Sequence, residues 1–219
     1  MIKGSGINYF LNQTNLTDLL KVFYTFETGN AYIPSVSGGN PIYSGQIQGD
    51  TGVFWAKPGS GTFYGTYITI NQTGLGEDYF TNLFSFQAIT TGKQLLVSTL
   101  ENGSGYEIGL NDAHRLYFRA QNNSINTYAT SNINLSSKNL VSVGYLTNYL
   151  EIGYYNFNSK SFESESFDFN FGQVRNDNKF VIGSGFTGYM DYFLNFNLLI
   201  NTNTLNELAS GWAFIPTGF

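Results

Sequence analysis

Apolar and polar residues alternate without error through Phe167-Asp168-Phe169-Asn170-Phe171. A period of two becomes one buried and one wet face only in an extended strand. Leu150-Glu151-Ile152-Gly153-Tyr154 shows the same habit, and Leu140-Val141-Ser142-Val143-Gly144-Tyr145 is apolar enough to be buried on both faces. Sliding any of these by one residue would move its rings into water, so strand register is tightly specified.

The same punctuation recurs along the chain. Lys21 to Glu27 ends at Thr28-Gly29-Asn30, and Phe63 to Ile70 ends at Asn71-Gln72-Thr73-Gly74. Leu83 to Ile89, Gln94 to Leu100, Tyr106 to Leu110 and Leu116 to Ala120 follow, separated by Gly, Asn, Asp and Ser. Short strands at this spacing predict a sandwich or barrel. The Gly- and Ser-rich stretch from Pro34 to Pro58 reads as long connections holding short strands. One helix is expected, at Thr204-Leu205-Asn206-Glu207-Leu208-Ala209-Ser210, with Thr204 as N-cap, Glu207 three residues on and Gly211 as the stop.

The sequence therefore predicts an all-β fold, an antiparallel sandwich with one short C-terminal helix, for which the family likeness of its closing segment implies a two-sheet jelly roll. Its 219 residues suit a single core that needs no covalent staple. The expected divisions are an N-terminal arm or short helix over 1–19, the sandwich over 20–211, and an aromatic docking tail over 212–219.

Composition narrows the function classes. The chain has no cysteine, which removes disulfides and thiolate chemistry. Only 11% of residues are charged and the net charge is −5. The scattered Lys and Arg form no basic stripe, so nucleic acid is not an expected partner. No signal-peptide-like apolar run opens the sequence and no membrane-spanning stretch is visible, so neither secretion by that route nor membrane insertion is expected.

The closing segment carries the most specific likeness: Phe180-Val181-Ile182-Gly183, then Phe186-Thr187-Gly188-Tyr189-Met190-Asp191, then Leu205 to Leu208. With the opening Val22 to Glu27 and the middle runs, it resembles the laminin-G-like, concanavalin A-like lectin jelly roll over residues 20 to 211. Gly188 is expected to permit close strand approach and Asp191 to tie a turn. The resemblance implies carbohydrate binding. Glycosidases on this scaffold carry Glu, Asp and Glu alternating on one strand face, and that pattern is missing here. In Glu163-Ser164-Glu165-Ser166-Phe167-Asp168, Glu163 and Glu165 share a face that Asp168 does not, which reads as a solvated strand face rather than a catalytic pair.

Candidate ligand-binding residues gather at the turn Asn111-Asp112-Ala113-His114-Arg115. Asn111, Asp112, His114 and Arg115 offer donors and acceptors, and Trp55 or Tyr106 could supply the aromatic platform that sugar sites pair with such groups. The competing reading is an ordinary polar turn. His114 is the sole histidine, too few for a His-rich zinc site or a triad with a serine elbow. No cofactor is expected; calcium, which needs only Asp, Asn and carbonyl oxygens, is left open. Tyr154-Tyr155 and the Phe-rich strands read as core or interface.

The resulting expectation is a non-enzymatic component of a phage virion, a fibre, baseplate or decoration protein, whose jelly roll binds glycans or neighbouring subunits. Low charge, no cysteine and abundant Asn, Tyr, Phe and Ile resemble such proteins. Localisation would be the virion, or the cytoplasm before assembly, and the assembly a homo-oligomer, with a trimer suggested by analogy with phage appendages. The alternatives are a free-standing lectin module, an assembly protein without a ligand, and, ranked last, a polysaccharide hydrolase.

Overall fold

The computed structural model describes residues 20–24, 45–48, 55–57, 60–64, 67–70, 79–122, 125–131, 135, 139–169, 171, 180–196 and 198–211. Within them lie β1 (Leu20–Tyr24), β2 (Gly45–Gln48), β3 (Trp55–Lys57), β4 (Ser60–Tyr64), β5 (Tyr67–Ile70), β6 (Tyr79–Ala88), β7 (Gln94–Ser98) and β8 (Ser104–Leu110). They continue with β9 (Leu116–Asn122), β10 (Ile125–Thr130), β11 (Asn139–Leu146), β12 (Asn148–Asn156), β13 (Ser161–Phe169), β14 (Phe180–Ile182), β15 (Thr187–Phe196) and one helix, α1 (Thr202–Gly211).

The strands form two antiparallel sheets. The first runs β13-β12-β11-β6-β15-β4-β3, with β1 also paired to β15; the second runs β10-β9-β8-β7-β14-β5-β2. This is the two-sheet antiparallel sandwich with one short helix that the alternation and the jelly-roll resemblance predicted. The N-terminal arm and the aromatic tail, expected at 1–19 and 212–219, lie outside the described residues. No helix among the described residues is long and apolar enough to cross a membrane.

Two sequence expectations change in detail. The run Phe63–Ile70, read as one strand, is divided between β4 in the first sheet and β5 in the second, because the chain changes layer within it. Asp191, expected to tie a turn, lies instead inside β15, where the pairing with β6 shifts between Met190 and Tyr192. An extra residue at such a point is a β-bulge, which bends a strand and increases its twist. Before the bulge β15 pairs with β4, and after it with β1, so one strand holds two partners along the same edge. Gly188 does allow close approach: a Cβ there would run into the Gln87 carbonyl oxygen and the Phe186 ring.

Side chains from both layers meet in an aromatic core. Tyr106 stacks on Phe80 with centroids 4.7 Å apart, and Phe118 meets Phe169 edge-on at 5.2 Å. β6 and β11 are buried along nearly their whole lengths, as expected of central strands covered on both sides. Their outer face is covered by α1: Leu83, Leu140 and Phe162 pack with Leu194, Phe196, Leu205 and Leu208.

The helix starts two residues earlier than the sequence suggested. Asn201, rather than Thr204, is the cap: its Oδ1 accepts the Thr204 amide at 3.0 Å, and its carbonyl accepts the Leu205 amide at 3.0 Å. Asn206 then fixes the helix to the edge strand by accepting the Phe162 amide at 2.6 Å.

Candidate functional site

The turn between β8 and β9 brings Asn111, Asp112, His114 and Arg115 together, as their sequence proximity requires, but commits much of their polar capacity to the turn itself. Asn111 Oδ1 accepts the backbone amides of Ala113 and Arg115, each at 3.0 Å. Asp112 Oδ1 accepts the Lys93 amide at 3.2 Å. His114 adopts φ of 61°, with its amide donating to the Asn111 carbonyl at 2.9 Å. These are the bonds of an Asx-type turn.

Tyr106 does not join them as a platform. Tyr106 is 0% exposed; its ring is locked in the inter-sheet core and its hydroxyl accepts a 3.2 Å hydrogen bond from Asn82 Nδ2. Burial holds this phenol well above the usual tyrosine range. Tyr106 therefore offers no face to a sugar, which corrects the sequence reading. Trp55 lies on β3, at the end of the other sheet.

A different cluster forms at the hairpin joining β12 to β13. The register sets Tyr154 opposite Glu163 and Asn156 opposite Ser161. Asn156 Oδ1 accepts the amides of Asn158 at 2.9 Å and Ser159 at 3.3 Å, closing the turn, while Lys160 takes φ of 56° to rejoin the strand. With its oxygen so used, Asn156 turns its Nδ2 toward Glu163 Oε1, 2.6 Å away. The Tyr154 hydroxyl donates a short hydrogen bond to Glu163 Oε2, and Ser159 Oγ approaches Oε1 at 3.5 Å. The donors from Tyr154 and then Asn156 hold the Glu163 carboxyl below the ordinary glutamate range, and the same bond raises the Tyr154 phenol.

Beside this network opens a cleft of about 310 Å³ lined by Asn139, Leu140, Tyr154, Tyr155, Asn156, Phe157 and Asn158. Phe157 is 41% exposed at the hairpin tip. Its ring is braced rather than loose, because Tyr155 meets it edge-on at 5.2 Å and is itself packed against Phe162 at 5.5 Å. A held, exposed ring beside side-chain amides provides stacking area and hydrogen-bonding groups in one concavity, the combination that small polar ligands require, and the Glu163 carboxylate lies one hydrogen bond behind two of its lining residues.

The chemistry of the cluster suits binding better than bond cleavage. A glycosidic general acid needs a carboxyl whose pKa is raised, whereas Glu163 is exposed and its pKa is lowered. Among the described residues no group of three or more His, Asp or Glu converges to hold a metal ion.

No family model matches the chain, and no curated protein does. Solved structures share its fold. The binding domain of botulinum neurotoxin serotype C1 is similar with a TM-score of 0.69 and 11% identity, over 91% of this chain and 53% of that one. The binding domain of botulinum neurotoxin DC in complex with SialylT gives 0.68 and 11%, over 90% and 52%. Botulinum neurotoxin type C, described as interacting with two ganglioside molecules, gives 0.66 and 10%, over 92% and 53%. This chain spans about half the length of these neighbours, and at such identity the likeness is one of fold: a β-sandwich shared with toxin binding domains.

Proposed function

We propose that this chain is a non-enzymatic glycan-binding module and that the β12–β13 cleft is its binding site. The observation that carries the reading is the braced, exposed ring of Phe157 at the mouth of a cleft lined by Asn139, Asn156 and Asn158. A pyranose presents an apolar C–H face and a rim of hydroxyls, which suits a ring for stacking and amides or carboxylates for pairing. The fold likeness supports the choice, since the similar toxin domains were characterised with SialylT or gangliosides. The test is a glycan array probed with wild type and Phe157→Ala. Wild type should bind saturably, and the variant should lose at least about tenfold in affinity with an unchanged melting temperature. An array that stays blank for wild type, or a variant that binds undiminished, would sink the reading.

The virion setting belongs to this proposal on the strength of composition alone. There the module would serve host adhesion, with residues 1–19 and 212–219 as contacts to neighbouring subunits in a homo-oligomer. Peptides of the chain should then appear in purified particles by mass spectrometry; their absence would leave a free-standing lectin module.

A further inference from the structure

We infer that the cleft is built for neutral saccharides and discriminates against anionic ones such as sialylated or uronic-acid-bearing glycans; this rests on the glycan-binding reading above. Three observations converge on it.

The first is the charge behind the wall. Glu163 is bonded to two lining residues, Tyr154 and Asn156, and these donors keep it ionised to lower pH than an ordinary glutamate. Glu163 is not itself a lining residue, but it sets a negative charge one hydrogen bond behind the wall that a ligand would meet.

The second is the direction of the hydrogen bonds. Tyr154 has committed its hydroxyl hydrogen, and Asn156 has given Nδ2 to Glu163 while its Oδ1 accepts two turn amides. What these groups still present is acceptor capacity: lone pairs on Glu163 and on the Tyr154 oxygen. Sugar hydroxyls can donate to the Tyr154 oxygen; a ligand carboxylate has nothing to donate there and would have to turn to the amides of Asn139 and Asn158.

The third is the lack of a cation on the walls. None of the seven lining residues is Lys or Arg. The charges nearby are Glu165, which shares the strand face of Glu163, and the exposed Lys160 in the turn. The chain as a whole carries −5. Binding an anion here would set like charges together, which costs affinity.

The test is titration of matched glycan pairs that differ only in a terminal sialic or uronic acid, at about 0.15 M and then 1 M salt. The neutral member should bind at least about tenfold tighter, and the gap should narrow in high salt, which screens the repulsion, and in Glu163→Gln. Equal or tighter binding of the acidic member would overturn the inference while leaving the glycan reading intact. Binding of neither member would overturn both. If Glu163→Gln loosens the hairpin, the salt dependence of wild type decides: a gap unchanged between the two salt concentrations counts against the charge behind the wall.

Discussion

Asn195 Nδ2 donates a 2.7 Å hydrogen bond to Asn82 Oδ1 across the β15–β6 pair, with both side chains fully buried. Asn82 passes the connection to the second sheet through its own Nδ2, bonded to the Tyr106 hydroxyl at 3.2 Å. Asn82 is thereby bonded through both its oxygen and its nitrogen, while the buried Asn195 Oδ1 has no hydrogen-bond partner; a buried polar group stripped of its partner costs about 1–3 kcal/mol. Asn82→Leu should therefore destabilise by at least that amount in urea unfolding. The double variant Asn82→Leu/Asn195→Leu should recover part of the loss, since it removes both members of the pair.

Gly188→Ala should be more damaging than its single added methyl suggests. The new carbon would collide with the Gln87 carbonyl oxygen on the neighbouring strand and with the Phe186 ring, and backbone cannot swing aside as a flexible side chain can. A loss of about 1–3 kcal/mol is expected, typical of an overpacked core, read from the urea midpoint at unchanged slope.

Asn206→Ala should loosen the helix from the sheet. Removing its side chain leaves the partly buried Phe162 amide without its 2.6 Å acceptor. Stability should fall by about 1–3 kcal/mol, and the Phe162 amide should exchange with deuterium faster than its neighbours in β13.

The hairpin network carries a pH signature of known sign. Glu163 has its pKa lowered on folding, so its contribution is present above the ordinary glutamate value and is lost as pH falls through the lowered one. Tyr154 has its pKa raised, so its contribution is present below the ordinary tyrosine value and is lost as pH rises through the raised one. Carboxyl-carbon NMR should show Glu163 titrating below ordinary glutamate values, and Tyr154→Phe should move that midpoint upward. An unmoved midpoint would show that the hydroxyl is not the cause.

The sandwich was legible because period-two alternation and turn residues are local signals. Leu140 to Tyr145 read as buried on both faces and is so; Glu163 and Asp168 read as solvated on opposite faces and are exposed. β10 was not recognised, since Ile125-Asn126-Thr127-Tyr128-Ala129-Thr130 lacks a clean apolar stripe and earns its place only by pairing with β9. The site was harder still. The β8–β9 turn is a contiguous polar run and so stood out, but Asn111 Oδ1 is occupied by amides of the turn and Asp112 Oδ1 by the Lys93 amide, which composition does not reveal. Tyr106 could have been placed in the core from its period-two phase with Ile108 and Leu110. The β12–β13 cleft depends on the register that sets Tyr154 against Glu163, nine residues away, and that follows from turn geometry rather than residue type. The usable signal was Asn156-Phe157-Asn158, an aromatic residue set in turn chemistry between two alternating strands.

The position of β15 has a consequence for how the protein is made. This strand, residues 187–196, lies between β6 on one side and β4 and β1 on the other. Translation supplies β1, β4 and β6 first, so for nearly half of the chain's synthesis the edge of β6 that β15 will occupy lacks the strand it will pair with. An apolar strand with an open edge is a template for the wrong partner. A nascent chain halted before residue 187 should accordingly recruit chaperones or aggregate, and release should be followed by closure of the first sheet as a late, long-range event.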